Sequence, residues 1–345
     1  MTWDSTRGRL RNRGLVCLAA ALTVAAVLEM PGGAQQNPAG AAGDTEVHVL
    51  PVQQNVYMLV GPGVNSAVQI GDEGVVVIDT MTAGAADKLV AAIRTLSAKP
   101  IVQIVNTSIN SDHTGGNAIV AGTGRNGRGA GGGAPILSHE HVLQAMSADA
   151  GKYKADPMVW PTETYFEDRR AFSRNGEGIE VLYQPKAHTD GDSLVYFRRS
   201  DVLVTGDIFT PQRYPVVDLD AGGSINGLLA GLNHILRITV TGKNEEGGTY
   251  VIPGHGHLCD EADVSDYRDM VTIVRDRIQD AVNRKMTLEQ VKAAKLTRDY
   301  DGVYATPDYT GDMFVEAVFK SLTATAPKPA VSTASPTKTP AGKKK

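Results

Sequence analysis

The chain has 345 residues, 42% hydrophobic and 21% charged, with a formal charge of −4. This is the balance of a folded domain with a sizeable core, and it excludes fibrous and wholly unfolded classes. The five lysines between Thr323 and Lys345 share their segment with no Asp or Glu, so the body is more acidic than the whole. With no basic stripe and no aromatic platform, a nucleic-acid partner is not expected.

The N-terminus carries Arg7, Arg9, Arg11 and Arg13, then an apolar run from Gly14 to Leu28, then Glu29, which departs from the pattern, and Met30-Pro31-Gly32-Gly33-Ala34. This order is that of a secretory signal over residues 1–34, and it predicts a mature chain beginning near Gln35, periplasmic or secreted. The run is too short for comfortable spanning of a bilayer, which needs about 20 residues, so no integral membrane span is expected after its removal. Cys17 is not at the end of the run and there is no Arg-Arg pair, which argues against lipoprotein and twin-arginine processing. Loss of the signal leaves Cys259 alone, and no intrachain disulfide is then possible. At the other end, residues 323–345 are Ala, Thr, Pro, Ser and Lys apart from Val331 and Gly342, a composition that predicts a disordered tail.

The body runs over residues 45–322. Strands are predicted at Val47–Val52, Val56–Val60, Ser66–Ile70 and Gly74–Asp79. An amphipathic helix over Ala83–Leu96 follows, with Leu89, Ala92, Ile93 and Leu96 on one face. Ile101–Asn106 reads as a strand, Gly116–Ala121 as a helix, Arg125–Gly133 as a Gly-rich loop, and Pro135–Ser138 as a strand leading into a short helix. The second half has strands at Glu180–Gln184, Ser193–Phe197, Val202–Thr205 and Thr249–Ile252. Its helices are predicted at Ser224–Leu236 and Asp263–Val282, and Thr287-Leu288-Glu289-Gln290 is a capping box opening another. Two runs of strands, each followed by helices, predict two packed sheets with helices outside, an α+β architecture.

Four turns, each after a strand, offer metal ligands: Asn106–Asn117, Ala187–Ser193, Thr205–Phe209 and Pro253–His257. Imidazole and carboxylate on tight turns are the parts of zinc-type sites, and rigid turns suit a metal that tolerates little error in ligand position. With Val76-Val77-Ile78-Asp79-Thr80 upstream, the ordered set resembles the motifs of the metallo-β-lactamase superfamily, over nearly all of the body.

The resemblance implies an αββα sandwich and hydrolysis of a small-molecule substrate at a metal centre. The family's His-x-His-x-Asp-His motif falls on Ser108, Asn110, Asp112 and His113, so its first two histidines are replaced. His188, Asp207 and His255 match the later ligands. The metal that would need the replaced histidines keeps only His188, because hydroxyl and amide are poor ligands for a divalent transition metal. The other keeps Asp112, His113, Asp207 and His255. One ion is therefore expected, zinc first, with iron or manganese possible. Asp112 and His188 are the candidate catalytic groups, His188 as base or substrate clamp once free of metal. The implied reaction uses one metal-activated water on an ester, thioester, lactone or amide. The alternative is a non-catalytic relative that binds a small molecule or partner in the old cleft.

Asp79 and Asp192 are candidates either for fixing ligand orientation or for ordinary turn capping. His139-Glu140-His141 and His257 are read as lying off the metal, Cys259 as a buried or half-buried thiol, and Ser224 as a helix cap. Trp160, Tyr165 and Phe166 are read either as pocket lining or as apolar packing.

Overall fold

The computed structural model describes residues 45–125, 132–239 and 248–324. The expected signal over residues 1–34, residues 325–345 of the expected tail and most of the Gly-rich loop lie outside them. The strands β1 (His48–Gln53), β2 (Val56–Val60), β3 (Asn65–Gly71) and β4 (Gly74–Ile78) form an antiparallel meander. After helix α1 (Ala86–Leu96), β5 (Ile101–Val105) pairs parallel with β4. Two short helices, α2 (Ser111–Thr114) and α3 (Asn117–Gly122), lead to β6 (Ile136–His139), α4 (Glu140–Met146) and β7 (Glu163–Tyr165). β6 and β7 extend the sheet in parallel, so its order is β1 to β7.

The second sheet contains β8 (Arg169–Arg174), β9 (Glu177–Tyr183), β10 (Ser193–Phe197) and β11 (Val202–Gly206). Helix α5 (Ile225–Thr239) crosses over to β12 (Tyr250–Pro253), which lies parallel to β11, giving the order β12-β11-β10-β9-β8. Helices α6 (Glu261–Asn283), α7 (Leu288–Ala293), α8 (Asp301–Tyr304) and α9 (Gly311–Thr323) follow.

The layers follow from side-chain alternation along each strand. In β4, Val75 and Val77 face α1 and α3, where they pack on Leu89, Ile93 and Val120. Val76 and Ile78 face the other way, onto Ile179, Val195, Phe197 and Val204 of the second sheet. On that sheet's far side, Leu182, Leu194, Leu203 and Val251 pack under α5, α6 and α9. The result is helix, sheet, sheet, helix, the αββα sandwich expected from the motifs. Each fully buried Leu, Ile or Val contributes roughly 1.5–3 kcal/mol.

Local signals set the ends of the helices. Ser224 Oγ accepts from Gly227 N at 3.0 Å and caps α5. Asp260 and Asp263 form a capping box that opens α6, and Thr287 and Gln290 do the same for α7. The expected helix over Ala83–Leu96 begins three residues later, because Thr82–Ala85 closes a turn of its own, with Ala85 N donating to Thr82 O at 3.0 Å. The two sheets are tied at one edge by Asn65. Its amide donates to the carbonyls of Pro253 and Gly256 at 2.9 and 3.0 Å, and its backbone N–H donates to Gly254 O at 2.8 Å.

Candidate metal centre

The turns after β4, β5, β9, β11 and β12 meet at that edge. Asp79 ends β4 in a left-handed conformation (φ 62°) that turns its carboxylate back under the β5 turn. There Oδ1 accepts from Thr107 N at 2.7 Å, and Oδ2 accepts from Thr107 Oγ1 at 2.5 Å and His113 Nδ1 at 2.7 Å. Asp79 thus orients an imidazole. Asp192 behaves differently: it accepts from Thr189 N and Oγ1, both at 2.7 Å, and caps the turn that carries His188. Burial pushes its pKa up to about 6.

His113 is wholly buried, and its Nε2 lies 3.1 Å from Asp207 Oδ1. His255 mirrors it. Its Nδ1 donates to the carbonyl of Gly63, and its Nε2 lies 3.0 Å from the same Asp207 oxygen and 3.5 Å from Asp112 Oδ2. The ligand atoms of Asp112, His113 and His255 lie within 4.8 Å of one another. Nitrogen and oxygen ligands about 2.0–2.1 Å from a tetrahedral zinc stand about 3.3 Å apart, so the spacing fits a small divalent ion. The orientation fits too, since a ligating histidine uses one nitrogen for the metal and donates the other N–H to an oxygen. Burial works against a charged His113, but Asp207 and Asp79 outweigh it and raise its pKa. His255 is raised as well, against its burial, chiefly by Asp207. Asp207 is itself held well below the usual carboxylate range, burial being overcome by His113, His188 and His255.

Where the replaced histidines would stand, hydrogen bonds have taken over. Asn110 Nδ2 lies 2.7 Å from Asp207 Oδ2 and 2.8 Å from His188 Nε2. A carboxylate only accepts, so the amide donates one hydrogen there and has the other for the imidazole. His188 Nδ1 sits 2.7 Å from the carbonyl of Val216, to which it must donate, so in the neutral ring Nε2 is the acceptor. Both nitrogens of His188 are engaged. Ser108 Oγ adds a longer contact of 3.3 Å to Asp207 Oδ2.

A cleft of about 190 Å³ opens on this group, lined by Asn110, Asp112, His188, Asp207 and His255 together with Lys152, Tyr153, Thr210, Arg213, Val216 and Asp218. The second set has no motif in the sequence; Thr210 and Arg213 follow Asp207 closely, which is the one available signal. Lys152 Nζ pairs with Asp218 at 2.6 Å, and Tyr153 donates to the same carboxylate. Trp160, Tyr165 and Phe166 do not line the cleft. Trp160 packs beside Val142 and Met146, Tyr165 is buried against Ser193, and Phe166 is exposed. His139 and His141 also stand apart from the centre. His139 stacks on Tyr183 with 3.7 Å between ring centroids, and His141 Nδ1 contacts the Asp190 carbonyl at 2.8 Å. Cys259 is buried, and burial, then Asp263, pushes its thiol pKa up.

Comparison with known proteins agrees with this fold. A sequence profile of the metallo-beta-lactamase superfamily matches residues 51–255. The chain is 26% identical over 170 residues to the 2,4-dinitroanisole O-demethylase subunit alpha of Nocardioides sp. (strain JS1661), covering 48% of each. It thus spans about half the length of that curated relative. Its fold is similar to the inverting sec-alkylsulfatase Pisa1 from Pseudomonas sp., with TM-score 0.61, 18% identity, and 79% and 50% of the two chains covered. It is also similar to a metallo-beta-lactamase from Pontibacter korlensis, with TM-score 0.53, 18% identity, and 66% and 99% covered. The profile takes in every motif turn from β4 to His255, and the chain belongs to the metallo-beta-lactamase superfamily.

Proposed function

We propose that this protein is an exported, metal-dependent hydrolase that uses a single ion to cleave an ester, thioester, lactone or amide bond of a small molecule. The observation that carries the reading is the convergence of His113 Nε2 and His255 Nε2 on one oxygen of Asp207, beside Asp112 and at the floor of a cleft. These four side chains would hold the ion, zinc first, with iron or manganese as alternatives. A divalent ion there would acidify water towards neutrality and withdraw charge from the scissile group. The chain supplies the rest. Asp79 and the Gly63 carbonyl fix the two rings. Asp112 is more exposed than Asp207, and its carboxylate is the one with access to a proton in the cleft. His188 becomes a second acceptor when the Asn110 amide leaves its Nε2. Lys152 and Arg213 offer N–H donors to an anionic part of the substrate.

A second reading has an observation of its own. The Asn110 amide satisfies Asp207 and His188 together, which suits a binding protein with half of its metal site plugged. A turnover screen separates the two. Metal-loaded protein is offered lactam, lactone, thioester and phosphodiester substrates. A sulfate ester and an aryl methyl ether are added because relatives are named as an alkylsulfatase and an O-demethylase. Turnover that is lost on chelation and in His113→Ala supports the hydrolase. No turnover in any class, with the ion bound, leaves the binding protein. Export rests on the Arg-rich, apolar N-terminus, and full-length chain retaining Met1 in the soluble cytoplasmic fraction would overturn it.

A further inference from the structure

Beyond the centre around Asp207, the connection from β12 to α6 carries a second set of donors. One atom each from His257, Cys259 and Asp263 lies within 4.8 Å of the others. Cys259 Sγ donates to the His257 carbonyl at 3.3 Å, and each residue has a further hold of its own. Cys259 is 3% exposed and is pinned to Val251 by two backbone hydrogen bonds of 2.8 and 2.9 Å. Asp263 is fixed in the first turn of α6 by the capping box, accepting from Asp260 N at 3.1 Å. The His257 imidazole is half-buried and makes no hydrogen bond, ion pair or ring contact among the described residues. A half-buried imidazole, a buried thiol and an exposed carboxylate stand together, and these are residue types that bind zinc-class ions.

We propose that His257, Cys259 and Asp263 form a second, independent metal site for a divalent cation of the zinc class, with water completing the shell. The chemistry selects the ion. Thiolate and imidazole favour zinc or cobalt over calcium and magnesium, which take oxygen ligands. Thiolate and carboxylate together balance a 2+ charge. Binding converts Cys259 from thiol to thiolate, the sulfur lone pair forms the bond to the ion, and the proton passes to solvent. The site shares no ligand with the first centre. It clamps the loop that carries His255 onto α6.

The test uses the full-length chain, stripped with a chelator and titrated with Co²⁺. The readout is the near-ultraviolet thiolate-to-cobalt charge-transfer absorption, which requires a cysteine ligand. The band is expected to appear with the unaltered chain, to vanish in Cys259→Ser, and to need more than about tenfold higher Co²⁺ in His257→Ala. It is expected to persist in His113→Ala, in which the first centre and its turnover are lost, so the two sites fail separately. No band at saturating Co²⁺ would overturn the proposal. So would a band surviving Cys259→Ser, which would belong to Cys17, or an unchanged Co²⁺ titration in His257→Ala, whose half-exposed loop position makes misfolding no explanation.

Discussion

Asn110 shows how one residue changes what a metal site can do. A divalent ion needs lone pairs directed at it, whereas the Asn110 amide directs two hydrogens at Asp207 and His188. Restoring imidazoles at both altered positions, in Ser108→His with Asn110→His, rebuilds a three-histidine set with His188. The double variant is expected to bind one equivalent more of zinc than the unaltered chain, by metal analysis after dialysis. His113→Ala should do the reverse and lose one equivalent. An unchanged content in either would refute the assignment of the two half-sites. The motif turns made Asp112, His113, Asp207 and His255 legible in sequence, because ligand chemistry restricts residue type. The role of Asn110 was not legible, since its acceptors lie 78 and 97 residues away. His139 gives a different prediction. Burial, with help from His141, lowers its pKa to about 4 from an ordinary 6.5. The unfolded chain then binds the extra proton between those values, so stability falls as pH drops through that window and levels off below it. His139→Phe keeps a ring against Tyr183 and removes the titration. Urea melts should show a shallower acid limb for the variant between pH 6.5 and 4, by a few kcal/mol at most. Parallel limbs would mean that His139 titrates normally.

At the scale of elements, the centre depends on turns that cross with almost no space between them. A Cβ added to Gly254 would lie 2.8 Å from the Gly206 carbonyl carbon and 2.9 Å from His113 Cε1. The obstruction on one side is backbone, so the turns after β11 and β12 must part, and Asp207 moves relative to His255. Gly254→Ala is therefore expected to weaken zinc binding by at least about tenfold, since ligand geometry fixed to about half an ångström is what affinity requires. A competition titration against a chromogenic chelator reads this directly, and unchanged affinity would show that the turns can separate freely. The same scale shows where sequence reading stops. The strands β2 to β5 and β9 to β12 announce themselves because burial on one or both faces leaves an apolar run or alternation. β8 does not: its Arg169, Arg170 and Ser173 are exposed at the sheet edge, where charge blocks further pairing and erases the apolar pattern. β7 is too short to carry a period. Helix α9 packs Phe314, Val315 and Val318 against the Tyr214 cluster, but its stripe is brief and follows a turn-rich stretch.

On the scale of the whole molecule, the two sheets are separate layers joined through their shared core and along the edge where the candidate ligands sit. Asp79, Asp112 and His113 come from the first sheet's turns, and Asp207 and His255 from the second's. An ion held by Asp112, His113, Asp207 and His255 would be a cross-link between layers that exists only in the folded state. Ligand that binds the native state alone stabilises it by RT ln(1 + [L]/Kd), about 2.7 kcal/mol at a hundredfold excess over Kd. For a domain of this size that is a rise in Tm on the order of 5 °C. Chelated protein is thus expected to melt about that much lower than protein re-supplied with zinc, with the difference restored on adding the ion back. The control is made in Cys259→Ser, so that the first centre alone is read. Adding His113→Ala to that background should abolish the zinc-dependent shift. The chelated Tm falls as well, because the substitution leaves a cavity and strips the buried Asp79 and Asp207 carboxylates of their partner, so the readout is the difference between zinc-loaded and chelated protein within each variant. A zinc-dependent rise that survives His113→Ala would place the stabilising ion somewhere other than between the sheets.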